Sequence, residues 1–167
     1  QNELLQSEGR SSRHGRLASR PARNGLSPVM SETSDKRFED VEFGEDLPEV
    51  DVDVSLDNVK VFAEAAQMMA GRFISHQEAR AAGLPGAIVP GIMSQGILVG
   101  VIHKWAPNAE IVNVDTIFRA PLLVDSKPTA SGVVTDIDEE SRVIEIDLTL
   151  KNEKGDTPVV GTAKITL

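Results

Sequence analysis

The chain has 167 residues, no cysteine, 40% apolar residues and a formal charge of −9. This content fits one globular domain with its own core, while the missing cysteines exclude disulfides and thiolate chemistry and are compatible with a reducing cytoplasm, the compartment expected here. The negative charge argues against nucleic-acid binding and against attraction to anionic membranes, and no run reaches the ~18 apolar residues of a membrane-spanning helix.

The charge is unevenly spread. Across residues 1–29, Arg10, Arg13, Arg16, Arg20 and Arg23 are balanced only by Glu3 and Glu8, among serines, glycines and prolines with few large apolar side chains. Such a segment has too little apolar surface to offset the entropy of ordering, so a disordered basic extension is expected over 1–34 and the folded domain over 35–167. The Arg- and Ser-rich make-up has something of an organellar transit peptide, without an amphipathic apolar face. Gln1 opens the chain in place of Met, and Met30 directly precedes an acidic stretch. The segment therefore reads as upstream sequence ahead of a start at Met30, or as a basic arm that recruits a partner.

Within the domain, Val50, Val52 and Val54 alternate with Asp51, Asp53 and Ser55, which predicts a strand over 49–55 with one wet face. Val59, Phe62, Ala63 and Ala66 at helical spacing predict a helix over 56–69, capped by Ser55 or Asp57 and ended by Gly71. Ser75-His76-Gln77-Glu78 has the Ser-x-x-Glu form of a capping box, opening a brief helix that stops at Gly83. A loop rich in glycine and proline then leads to a helix starting at Gly91. In it Ile92, Met93, Ile97, Leu98, Val99, Val101, Ile102 and Trp105 occupy nearly every face. A helix apolar all round is buried, and about 14 residues at ~1.5 Å each cross a small domain but not a bilayer. Gly96 and Gly100 each cost about 1 kcal/mol of helix propensity relative to Ala, which predicts a sheet pressed closely against that face.

The start of this helix carries chemistry. Pro90 has no N–H, so the amides of Gly91, Ile92 and Met93 are its first free donors, with the positive end of the helix dipole behind them. That end suits an oxyanion, and glycine at 91 admits a carbonyl to the backbone without meeting a Cβ. After Ala106-Pro107-Asn108, four alternating runs follow at 110–119, 129–137, 142–151 and 158–167, the last three joined by the polar turns Asp138 to Ser141 and Glu153 to Asp156. The order predicts an α+β chain: one long buried helix wrapped by a curved antiparallel sheet, with the last four strands as a meander. This is the layout of the hotdog fold.

Phe62-Ala63, the run Ala79 to Gly86, Ile88, Pro90-Gly91-Ile92-Met93 and Phe118-Arg119-Ala120-Pro121 resemble, in this order and spacing, the MaoC-like family of hotdog enoyl-thioester hydratases and 3-hydroxyacyl dehydratases of fatty-acid metabolism. The resemblance covers roughly residues 36–167. It implies a pocket at a dimer interface for an acyl-CoA or acyl-carrier thioester, no metal and no cofactor beyond that ligand, and a substrate site at Gly91 and Ile92 with the thioester oxygen on the Gly91 amide. Members that hydrate or dehydrate carry an Asp-x-Asn-Pro-x-His motif after the first helix, whose Asp and His move the protons. Gapless alignment between Phe62 and Gly83 puts Met68 at the Asp, Ala70 at the Asn, Gly71 at the Pro and Phe73 at the His, and Pro90 replaces the usual histidine before the helix glycine. Neither Met nor Phe can carry a proton.

Replacements for the missing pair are few. His76 lies three positions beyond the lost histidine and belongs to the side-chain class that titrates near neutral pH, although a residue just past the Ser75 cap also reads as solvent-facing. Glu64 reads as a surface carboxylate or a general base, and Arg72 and Arg119 as candidate partners for CoA phosphates. His103 suits the negative end of the central helix, Asp115 the wet face of its strand, and His14 lies in the basic prefix. Three functions follow. One is an acyl-thioester hydratase or dehydratase family protein, acting through other residues or as the dyad-less subunit of a heterodimer. The others are a non-catalytic acyl-CoA-binding or regulatory protein, and a hotdog thioesterase, which needs a carboxylate near the helix start. Exposed sheet edges predict a homodimer or a heterodimer with a related chain.

Overall fold

In the computed structural model, which describes residues 35–167, the alternating runs pair into one antiparallel sheet. Its strands are β1 (Asp46–Asp51), β2 (Glu110–Phe118), β3 (Thr129–Asp138), β4 (Val143–Lys151) and β5 (Val159–Thr166), in the order β1-β3-β4-β5-β2. The helices are α1 (Leu56–Ala65), α2 (Gly71–Ile74), α3 (His76–Ala81) and α4 (Gly91–Trp105). The basic extension expected over 1–34 lies outside the described residues. Among the described residues, no helix is long and apolar enough to cross a membrane.

Two early elements differ from their sequence reading. The first strand starts at Asp46, because Leu47 points inward at 2% exposure opposite Gly132, and the register shifts across Pro48 and Glu49 before Val50 pairs. Val52 and Val54 follow the strand, and the Val52 amide still bonds the Pro128 carbonyl at 3.1 Å. Helix α1 ends at Ala65, four residues early: Gln67 turns left-handed at φ 56°, and the Met68 amide folds back onto the Ala63 carbonyl at 2.7 Å. Gly71 opens α2 instead of closing α1, and a Cβ there would strike the Glu78 carboxylate. Both serine caps form. Ser55 Oγ accepts from the Asn58 amide at 3.4 Å and Ser75 Oγ from the Glu78 amide at 3.3 Å.

The last four strands are not a simple meander. β3, β4 and β5 run as consecutive neighbours, but β2 pairs with β5 and not β3, so the 119–128 segment carries the chain from one edge of the sheet toward the other. Period-two alternation marks a strand as half-buried and says nothing about which strand lies beside it. The two edges are unlike. β1 exposes Asp46, Pro48, Glu49 and Asp51, whereas β2 exposes Val112, Ile117 and Phe118 at 59%, 61% and 53%.

Helix α4 buries one side against this sheet. Leu98, Val101 and Ile102 pack with Val134, Ile144, Ile146, Leu148, Leu150, Ala163 and Ile165, and each fully buried Val, Leu or Ile is worth roughly 1.5–3 kcal/mol. The opposite side is open. Ile92, Gly96, Gly100 and His103 form an exposed stripe, and a Cβ on either glycine would meet nothing within 4 Å. The expected close approach is made by a glycine of the sheet. A Cβ at Gly161 in β5 would lie 2.9 Å from the Asp115 carbonyl oxygen and 3.4 Å from Leu98 Cδ1. Gln95 Nε2 bonds Thr116 Oγ1 at 3.2 Å, tying α4 to β2, and at the far end Trp105 Nε1 donates to Glu45 Oε1 at 2.8 Å.

Candidate functional site

The loop before α4 is strapped on both sides. The Val89 amide donates to the Leu122 carbonyl at 2.8 Å, the Val124 amide to Ala87 at 2.9 Å, and the Ile88 amide to Arg72 at 2.9 Å. This fixes Pro90, whose extended backbone (φ −55°, ψ 136°) turns the chain into the helix, and its carbonyl accepts from the amides of Met93 and Ser94 at 3.0 and 3.1 Å. The amides of Gly91 and Ile92 donate to no described acceptor, as expected for the first turn of a helix without a side-chain cap. They carry the positive end of a 15-residue helix.

A cavity of about 340 Å³ lies at this end, within the size range of small-molecule sites. Ile88, Val89, Phe118, Ala120, Pro121, Leu122 and Val159 give it apolar walls, and Gly91 and Ser94 are its helical side. Arg119, exposed, also lines it. Gly91 has a steric role as well as an open amide, since a Cβ there would come within 3.1 Å of the Phe118 ring. Ser94 was not singled out by sequence reading. It is 1% exposed, three residues beyond Gly91, and the available signal was a lone hydroxyl inside an apolar run.

The remaining sequence candidates lie elsewhere. Ile92 offers its amide at the helix start while its side chain is 59% exposed on the open stripe. Met68 is half-buried and Phe73 buried, and neither lines the cavity, nor does exposed Glu64. The Arg72 guanidinium lies 4.8 Å from the Phe73 ring centroid, and Arg72 reaches the site only through its carbonyl bond to Ile88. His103 is exposed on α4, and Asp115 on β2 accepts from Asn113 Nδ2 at 2.7 Å.

His76 is occupied at both ring nitrogens. Nδ1 accepts from the Ala87 amide at 3.1 Å, which leaves the proton on Nε2, and Nε2 donates to Asp125 Oδ2 at 2.8 Å. The second oxygen, Oδ1, accepts from the Leu56 amide at 2.8 Å. The bond from His76, then that from the Leu56 amide, holds the Asp125 carboxyl below its ordinary pKa. This pair ties the starts of α1 and α3 to the loop before α4. Nothing in the sequence joined residues 76 and 125, which lie 49 positions apart.

Chemically, the described lining of the cavity offers one free backbone donor, the Gly91 amide, one hydroxyl and a peripheral guanidinium among apolar walls, with no carboxylate or imidazole among the described lining residues. Such a site can hold and polarise a carbonyl, because charge that develops on the oxygen meets fixed dipoles in a largely apolar setting. Among the described lining residues, none is suited to exchange a proton near neutral pH. Among the described residues, no three His, Cys, Asp or Glu side chains gather where a metal ion could be held.

No protein-family model matches the chain, and no curated protein does. Solved structures do. The chain is similar to the ChsH1-ChsH2 complex from Mycobacterium tuberculosis at TM-score 0.70 and 20% identity, covering 75% of this chain and 98% of that one. It is similar to the (R)-hydratase from A. caviae involved in PHA biosynthesis at TM-score 0.73 and 18% identity, covering 77% and 98%. A MaoC-like dehydratase from Rhodospirillum rubrum matches at TM-score 0.66 and 15% identity, covering 76% and 92%. At these identities the likeness establishes the fold, a curved antiparallel sheet around one long helix, the hotdog fold.

Proposed function

We propose that this hotdog chain is a MaoC-like member of the acyl-thioester hydratase and dehydratase family, acting in the cytoplasm as the dyad-less subunit of a heterodimer. The observation that carries this reading is the Gly91 amide, which donates to no described acceptor, on the wall of a largely apolar cavity of about 340 Å³. A thioester of CoA or of an acyl carrier fits that arrangement. Its carbonyl oxygen lies on the Gly91 amide, its acyl chain lies along Val89, Leu122 and Val159, and its phosphates meet Arg119. The motifs read in the sequence and the likeness to solved hydratase and dehydratase structures support the same reading.

Hydration of an enoyl thioester needs a base for water, an acid for the α-carbon and stabilisation of the enolate-like charge between them. This chain supplies the last of these. The first two come from a related subunit. Purification from the native host followed by mass spectrometry is expected to find a bound thioester and a related hotdog chain that carries the missing Asp and His. A homomer with a bound thioester and no partner would favour the second reading, a non-catalytic acyl-CoA-binding or regulatory protein, which the absence of proton-transfer groups along the cavity also supports. The thioesterase reading has no carboxylate on the cavity wall to work with.

A further inference from the structure

We propose that His76 is a proton-operated latch on the loop that carries Gly91: the neutral imidazole holds Ala87 in place, and the imidazolium releases it and weakens binding in the cavity at the start of α4. The affinity part rests on the reading of that cavity as a thioester site, and the latch itself does not. Ala87 is fully buried and held from both sides. Its amide donates to His76 Nδ1 at 3.1 Å, and its carbonyl accepts from the Val124 amide at 2.9 Å. The next two residues, Ile88 and Val89, line the cavity and lead through Pro90 to the Gly91 amide. A shift at Ala87 therefore reaches the cavity wall and its backbone donor directly.

The imidazole side chain is 27% exposed, so protons reach it from solvent, and side chains of this class change charge between pH ~5 and 8. Asp125, which accepts from Nε2 at 2.8 Å, keeps its charge through that range, because the bond from His76 and then that from the Leu56 amide hold its carboxyl below the ordinary value. With Nε2 already protonated, a second proton lands on Nδ1. Two donors then face each other, and the buried Ala87 amide loses the one acceptor described for it. The loop has little room to adjust in place, since a Cβ at Gly86 would lie 3.0 Å from Nδ1. Around the pair, Lys60 on α1 helps to lower the Asp125 carboxyl, and the Asp125 charge bears on Asp53. On α3 itself the Glu78 carboxylate lies against Gly71 and Arg80 Nε donates to the Pro85 carbonyl at 3.3 Å. Among the described residues, Asp125 is thus the one charge bonded to the ring.

Calorimetry of butyryl-CoA on the full-length chain as purified, with any partner that accompanies it, compares affinity at about pH 7.5 and 5.5. The wild type is expected to bind about three- to tenfold more weakly at the lower pH, the usual range for one neutral hydrogen bond that keeps the loop in its binding form. In His76→Asn, whose Oδ1 can accept from Ala87 and cannot titrate, that ratio is expected to fall to about one. His76→Phe, with neither acceptor nor charge, is expected to bind weakly at both pH values. Titration of the ligand's phosphate is shared by all three proteins and cancels. Nuclear magnetic resonance of the wild type without ligand gives the second readout: the Ala87 and Gly91 amide signals are expected to move with the midpoint of the His76 ring. A ring that titrates while those amides stay fixed, or the same pH ratio in His76→Asn as in the wild type, would overturn the proposal and leave the thioester reading standing. No binding of butyryl-CoA at millimolar concentration at either pH would defeat the thioester reading, and the latch would then stand or fall on the resonance titration alone.

Discussion

At the Gly91 amide, two substitutions separate donor from space. Gly91→Ala keeps the N–H but adds a Cβ 3.1 Å from the Phe118 ring, whereas Gly91→Pro removes the N–H as well at a position that tolerates proline. Acyl-CoA affinity is expected to drop modestly in the first and by a further factor of about ten in the second. If an active complex is reconstituted, the proline variant is expected to lose ~10² to 10³ in rate, as other oxyanion donors do. Equal affinities of a folded proline variant and the wild type, read by calorimetry, would move the carbonyl away from Gly91. Asp125 gives a second prediction. Its folded pKa lies below the unfolded value, so its stabilising contribution is complete above the unfolded pKa and is lost as pH falls through the folded one. Urea melts between pH 2 and 6 are therefore expected to show a shallower acid-side loss in Asp125→Asn than in the wild type. The pairing with His76 explains why the imidazole, a candidate base on sequence grounds, reads as a brace for the loop before α4. A 49-residue separation gave no local pattern from which to find it.

Among the elements, α4 and its glycines make the sharpest contrast. Gly161→Ala forces a methyl between the Asp115 carbonyl and Leu98 and is expected to cost about 1–3 kcal/mol as an overpacked core. Gly100→Ala meets open space and is expected to cost nothing and to gain up to ~1 kcal/mol of propensity. Chemical denaturation of the two variants checks both, and a destabilised Gly100→Ala would mean that something covers the stripe. The helix start at Gly91 and the four later strands were legible in the sequence to within one residue at most ends, because proline, glycine and strict alternation mark them. The open side of α4 was not. A helix whose exposed stripe runs through Ile92, Gly96 and Gly100 before it reaches His103 has, over most of its length, the composition of a buried one, and only the sheet's position shows which side it covers. Within the cavity, Gly91 and Arg119 were found through motifs that have an order and a spacing, whereas Ser94 belongs to no motif and needed three-dimensional context.

For the molecule as a whole, the cavity's lack of proton-transfer groups sets the expected activity. The isolated chain is expected to hydrate crotonyl-CoA with a kcat far below the ordinary ~1 to 10³ per second, since each missing acid or base is worth roughly 10² to 10⁴. A stopped-flow rate within that ordinary range would show that another group moves the protons. Association is expected through β2, whose exposed Val112, Ile117 and Phe118 leave an apolar edge with unpaired backbone groups, and light scattering on Ile117→Lys is expected to show a shift toward monomer. The other edge behaves differently. Pro48 removes one backbone donor from β1, and its three carboxylates set like charge against a second copy of that edge. If two copies or two related chains join by their β2 edges, each complex ends at both sides in a β1 that repels its like. Such a pair is self-limiting: the inequality of its two margins disfavours growth of the sheet into a fibre.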